Sequence, residues 1–425
     1  MTLPGRRALA PLTLASLLLL AACGGGGSGD DEHEHTHIDS AGRLALIEDG
    51  SNSVRIYDLD DKAVLASFAV DHPPSAIHAS PGRRHAVVIQ RTQDLVQFVD
   101  GGLWQEDHVD HLHDYKESPR LLGFRLEGPR PTHYEAHEGL AALFFDGLAA
   151  TGLSSGVALL SDASLGSAQG TVATLPLGTW MHGTAEPRGE FLLATYRVAE
   201  AAGTLPEQVD LYRRSGSGYE FVRRFDESCP SLHGSFSNER HTAFGCADGV
   251  LVVTQSGNDF TARKIANPPE LSGDLRIGTL TGHDRLGSFV GIASTGLLFD
   301  VDPVAGTITP IAWAEGRTRR AHGFDASGER FLVLDETGTL HLLDATAGWT
   351  VQAAIPVVGS MPGAAPFPSI AFSSAGELAY VNDPAARDLA VIDLHGASIR
   401  ERLPLDFRAT GIVWLGIEAH GEHAH

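Results

Sequence analysis

The chain has 425 residues, of which 43% are apolar and 20% charged, so it carries enough material for a buried core and is not a disordered chain. Fifty-three acidic against 31 basic residues give a net charge of -22, which repels phosphates and anionic headgroups and excludes nucleic acid as a partner of the body of the protein. Cations suit such a surface, and the 21 His supply donors for them.

Residues 1–22 read as a secretory signal. Arg6 and Arg7 form the basic start, and the apolar run that follows is short for a membrane span. The run ends in Leu20-Ala21-Ala22-Cys23, a lipobox pattern that makes Cys23 the expected lipidation site; an ordinary signal peptide is the alternative. Cleavage would remove two Arg and leave 29 basic against 53 acidic residues, or -24. Residues 23–39 then form a flexible Gly- and His-rich tail. An exported chain favours a disulfide between Cys229 and Cys246, with a thiolate metal site as the competitor.

After the signal no helix-period segment appears; short runs rich in Val, Leu, Ile and Phe alternate with turn residues. The clearest unit starts at Arg320 and gives four strands in about 40 residues, with Ser-Gly and Thr-Gly turns. Related units begin near 36, 78, 133, 182, 233, 279 and 370, a mean spacing of about 48. Four strands per unit at this period predict an all-β fold, a single β-propeller of eight blades over residues 40–416, with seven blades as the alternative. The innermost strand of the first unit is poor, whereas 409–414 looks like a lone inner strand. The C-terminal strand is therefore expected to close the ring in blade one. Radial repetition lets one domain grow this long, against the two or three domains that length alone suggests.

Aligning the units on His322 places His78, His182 and His233 at one position, with His133 a shift away. Small residues follow: Ala79, Gly183, Gly234 and Gly323. Inner strands surround the channel, so imidazoles at one height can converge on a metal; hydrogen bonding between blades is the competing explanation for each. The longest interval between units holds an insertion, GGLWQEDHVDHLHDYK, with His108, His111 and His113, followed by His133 and His137. A loop there could fold over the channel mouth and bring His111 and His113 to His133, His182 and His233. A third group of His lies at the ends: His33, His35 and His37 with Asp39, and the His-rich tail 417–425.

Together GGLWQEDHVDHLHDYK, EGPRPTHYEAH, MHGTAEP, CPSLHG with FGC, the His-x-His-x-His-x-Asp tail and the eight-fold repeat resemble the AztD-type periplasmic zinc chaperones. That resemblance spans essentially the whole chain beyond the signal. It implies a β-propeller that binds Zn2+ and hands it to the solute-binding protein of a zinc ABC transporter, with no catalytic residues. It also implies a transfer motif, which maps to His33, His35, His37 and Asp39. The candidate metal ligands are His78, His108, His111, His113, His133, His137, His182, His233 and His322. A lipid anchor at Cys23 would tether the chain to a membrane from the periplasmic side. The competing reading is a metal-dependent propeller hydrolase or oxidoreductase using Glu135 or Asp146 as acid and base, although no nucleophile or dinucleotide motif is present.

Overall fold

The computed structural model describes residues 37–108 and 112–419. Strands alternate with tight turns throughout, and eight four-stranded antiparallel sheets form in chain order. Blade two uses Ala76–Ala79, His85–Gln90, Leu95–Asp100 and Arg120–Glu127. The inner strands of blades three to eight are Pro131–His137, Ala185–Arg188, Ser235–Ser237, Thr279–Thr281, Arg319–Phe324 and Ile370–Phe372. Blade one takes its inner strand from the C-terminus: Ala409–Leu415 pairs with Arg43–Glu48, as the closing-strand argument requires.

Burial explains the patterns. The second strand of each blade is covered on both faces by its neighbours, so it reads as a continuous apolar run rather than an alternating one. Phe331, Leu332, Val333 and Leu334 are all fully buried. Outer strands such as Ala63–Ala69 are open on one side and alternate accordingly. Core clusters lie between blades, so no blade could hide its faces alone. At the closure, Leu44, Leu46 and Tyr57 of blade one pack with Tyr380, Leu389 and Val391 of blade eight around Ile412 and Trp414 of the closing strand. The Trp414 indole donates to the Ala41 carbonyl (3.0 Å), so removing it would cost about 3–5 kcal/mol and loosen the ring where it is joined.

Some of the acidic residues serve the turns. The Oδ1 of Asp302, Asp344 and Asp383 each accepts two backbone N–H groups of the turn that follows, the Asx arrangement that closes a tight connection. The negative charge is therefore partly structural and not only a field for cations. Cys229 and Cys246 form the expected disulfide, linking the segment before the inner strand of blade five to the end of its second strand.

Strand direction defines two faces. Inner strands begin at one face, called upper here, and end at the lower face. Connections between third and fourth strands therefore lie on the lower face. The insertion of blade two is such a connection; it forms a hairpin, Leu103–Asp107 with Leu112–Lys116, on the lower face. The ends of the described chain leave by that face too.

Candidate metal centre

Three of the nine expected ligands converge. His133, His182 and His233 offer one ligand atom each, all within 4.8 Å of one another, at the upper mouth of the channel. Their rings lie 5.0 to 5.5 Å apart. His133 sits on the inner strand of blade three beside a register shift between Pro131 and Tyr134, and this extra residue is why the sequence alignment places it one position off.

The backbone holds the other two just before their strands. The His182 N–H donates to the Thr204 carbonyl and the Met181 N–H to the Asp146 carbonyl, while Arg197 ties the connecting loop through the Gly203 carbonyl. The His233 N–H donates to the Gly245 carbonyl. The small residues that follow these His have steric causes. A Cβ on Gly183 would lie 2.3 Å from Thr195 Oγ1, and Gly234 has φ +73° with the Gly278 carbonyl 2.7 Å from where its Cβ would stand.

Hydrogen bonding fixes two tautomers. His233 Nδ1 lies 2.6 Å from the Gly278 carbonyl, which can only accept, so Nδ1 carries the proton and Nε2 keeps its lone pair. His182 Nδ1 donates to Asp146 Oδ2 (3.0 Å), which again leaves Nε2 bare. Asp146 Oδ2 also accepts from Arg91 (2.7 Å) and Thr132 (2.9 Å). Burial opposes ionisation of Asp146, but the bonds from His182, Arg91 and Thr132 outweigh it and hold its pKa below the usual range. Two of the imidazoles are held towards the neutral form: burial and then the His182 charge push His133 down to about 4, and burial lowers His233 against the pull of the Gly278 carbonyl. Neutral imidazole is the form that binds metal. The site remains open upward, since His133 and His182 keep 19% and 28% of their side-chain surface exposed.

The other expected ligands lie elsewhere. His78 faces Val87 and His322 faces Val333 on their neighbouring strands, deeper in the channel than the three converging rings. His78 stacks on Tyr134 at 5.1 Å, and His322 Nδ1 accepts from Arg319 at 2.9 Å. Burial pushes them to about 4 and about 3, as for rings that pack between blades. His137 is at the lower end of its strand, buried, between Asp284 (3.3 Å) and Arg188 (3.1 Å).

The suggestion that the insertion folds over the mouth of the three imidazoles fails on strand direction: the hairpin with His108 and His113 is on the opposite face. There His108 Nε2 approaches the Tyr115 hydroxyl at 3.4 Å and the His113 ring packs on Tyr115 at 4.5 Å. His37 reaches this hairpin, with Nδ1 3.2 Å from Asp114 Oδ2, and the Ile38 N–H donates to the same oxygen. Asp39 lines a surface cleft beside Asp60 and Arg400. His33, His35, His111, Cys23 and the residues of the C-terminal tail from 420 onward lie outside the described residues.

Sequence reasoning named Asp146 only as an acid or base for a hydrolase. Its place at the back of His182 had no motif to announce it, being 36 residues away, and the Gly278 carbonyl has no side-chain signature at all.

The fold and site together define an eight-bladed β-propeller with a three-imidazole pocket suited to a borderline divalent cation. Over 392 residues the chain is 25% identical to the zinc chaperone AztD of Citrobacter koseri, covering 90% of this chain and 89% of that one. The crystal structure of Citrobacter koseri AztD superposes with a TM-score of 0.77 at 23% identity, over 89% of this chain and 99% of that one. Its apo structure gives 0.76 at 22%, over the same shares. The resemblance drawn from the motifs therefore stands over nearly the whole length. No protein-family model matches the chain.

Proposed function

We propose that this protein is a periplasmic zinc chaperone that holds Zn2+ at His133, His182 and His233 and passes it to the solute-binding protein of a zinc ABC transporter. The observation that carries the reading is the pair of bare Nε2 lone pairs of His182 and His233, 3.1 Å apart and each fixed from behind. Lone pairs held that close call for a shared cation. Three neutral nitrogens with the fourth direction open to solvent bind zinc and still admit an incoming ligand from a partner, as hand-over by ligand exchange needs. The likeness to a zinc chaperone supports the same reading, and the bonds that Asp146 accepts from His182, Arg91 and Thr132 suit an orienting group better than a free base.

In this reading the tail with His33, His35, His37 and Asp39 is the transfer motif. Lipidation at Cys23 would keep the protein near the importer. Among the described residues no helix is long and apolar enough to cross a membrane.

Competition against a chromophoric chelator tests binding: the protein should take one tight equivalent of Zn2+ from micromolar chelator, and failure to compete overturns the proposal. Mixing the zinc-loaded protein with an apo solute-binding protein and following the metal tests the hand-over.

A further inference from the structure

Beneath the three imidazoles the channel wall turns from nitrogen to oxygen. Glu135 is two residues below His133 on the same side of its strand, a step of about 6.6 Å, and its Oε1 lies 3.8 Å from His133 Nδ1. It keeps 20% of its side-chain surface open, and an inner strand enclosed by the ring can open only to the channel. Glu186, on the inner strand of blade four, is 1% exposed and is bonded by the Ser235 and Ser237 hydroxyls. Its Oε1 is buried and has no hydrogen-bond partner. The Thr184 and Ser235 hydroxyls pair at 2.9 Å beside it.

Buried carboxylates are ordinarily paired with a cation; among the described residues Glu186 forms no ion pair with Lys or Arg, and half-buried Glu135 has the His133 imidazole at 3.8 Å. The nearest cation along the strand is Arg188, whose guanidinium is already spent on the Asn238 and Glu239 carbonyls, Gln255 and His137. That guanidinium lies at the lower end of the strand and repels any cation from below.

We propose that Glu135 and Glu186, with the Ser235 hydroxyl, form a second divalent-cation position in the channel, reached through the three-imidazole pocket. This rests on the reading of that pocket as the zinc site. An all-oxygen donor set binds zinc less tightly than imidazole and accepts harder ions, so the lower position is weaker and less selective. Two ions so close also need the two negative charges that the carboxylates supply on ionisation.

The test uses the full chain, equilibrated with Zn2+ and separately with Mn2+, whose preference for oxygen ligands singles out the lower position. Wild type should bind one more Zn2+ than Glu186→Gln, with the tight site unchanged within about threefold, and should immobilise Mn2+ as read by electron paramagnetic resonance. Glu186→Gln should lose the Mn2+ signal, while His182→Ala should keep it and lose tight zinc. Glu135→Gln gives the same loss as Glu186→Gln and guards against a folding defect in one variant, with unfolding temperatures as the check. Equal zinc counts in wild type and both Gln variants, or no bound Mn2+ in wild type, overturns the proposal and leaves the imidazole pocket standing. Tight zinc binding that survives His182→Ala overturns the pocket itself, a distinct result.

Discussion

His182 Nε2 and His233 Nε2 face each other at 3.1 Å across the upper mouth of the channel. Two nitrogens on one tetrahedral zinc at 2.0–2.1 Å stand about 3.3 Å apart, so the rings are within a few tenths of an ångström of their metal-bound spacing. Removing one of them should weaken zinc binding by more than about 100-fold, beyond the usual cost of losing an outer partner. His182→Ala is the direct test, read by chelator competition, and an unchanged affinity would place the zinc elsewhere.

Asp146 should matter less than the rings but still measurably. It fixes the His182 tautomer, so Asp146→Asn lets the amide offer an N–H to Nδ1 and favours the wrong tautomer. Because His182, Arg91 and Thr132 all donate to the same Oδ2, an amide N–H turned to Nδ1 also meets the other two donors, so we expect about 10–100-fold weaker zinc binding together with a lower unfolding temperature. Isothermal titration of the variant beside Asp146→Ala separates orientation from loss of the group: Ala should be at least as weak.

How much of this was legible in the sequence follows from what each feature depends on. The blades were, because a strand covered on both faces must be apolar and a turn must carry Gly, Asn or Asp, and both leave a mark every 48 residues or so. Closure was legible for the same reason, as a surplus strand at 409–414 matched a missing one near residue 36. His182 and His233 shared the repeat's His position, with His133 one shift away, but so did His78 and His322, and only register distinguishes these two: they sit opposite Val87 and Val333, deeper than the mouth. The face of the insertion was readable in principle, since a connection after a third strand must emerge at the lower face. It was missed because the His count drew the loop toward the channel. Glu135 and Glu186 stand in the motifs EAH and AEP with nothing in composition to show that one lines the channel below His133 and the other keeps a buried oxygen without a hydrogen-bond partner.

The disulfide should brace the site as well as the fold. Cys229 precedes His233 by four residues, and Cys246 follows Gly245, whose carbonyl accepts the His233 N–H. Closing a loop of 17 residues is worth about 3 kcal/mol in the chain-entropy model. Cys229→Ser with Cys246→Ser should cost about that much in denaturant unfolding and loosen His233, lowering zinc affinity; equal affinity with lower stability would show that the Gly278 carbonyl alone holds the ring.

The stability of the metal-free protein should peak between the windows of two opposed groups. His322, facing Arg319 and packed on Phe331, is pushed by burial to about 3, against 6.5 unfolded. Below 6.5 the unfolded chain takes up a proton that the folded one refuses, so stability present above that pH is lost as pH falls from 6.5 towards about 3. Glu186, facing Glu135, His137, Arg188, Ser235 and Ser237, is pushed to about 8 by burial and then by Glu135, against 4.5 unfolded. Here the folded chain keeps a proton that the unfolded one has released, so stability is fully present below 4.5 and is lost as pH rises through about 8. His78 and His133, pushed down to about 4, add to the acid limb and Glu135, pushed up to about 8, to the alkaline one, so the unfolding temperature of metal-free protein should fall towards both acid and alkaline pH. Burial pushes Glu135 up to about 8 as well, so Glu186→Gln should make the alkaline limb shallower without abolishing it and leave the acid limb as it is; an alkaline limb of unchanged slope would mean that Glu186 is ionised in the folded chain.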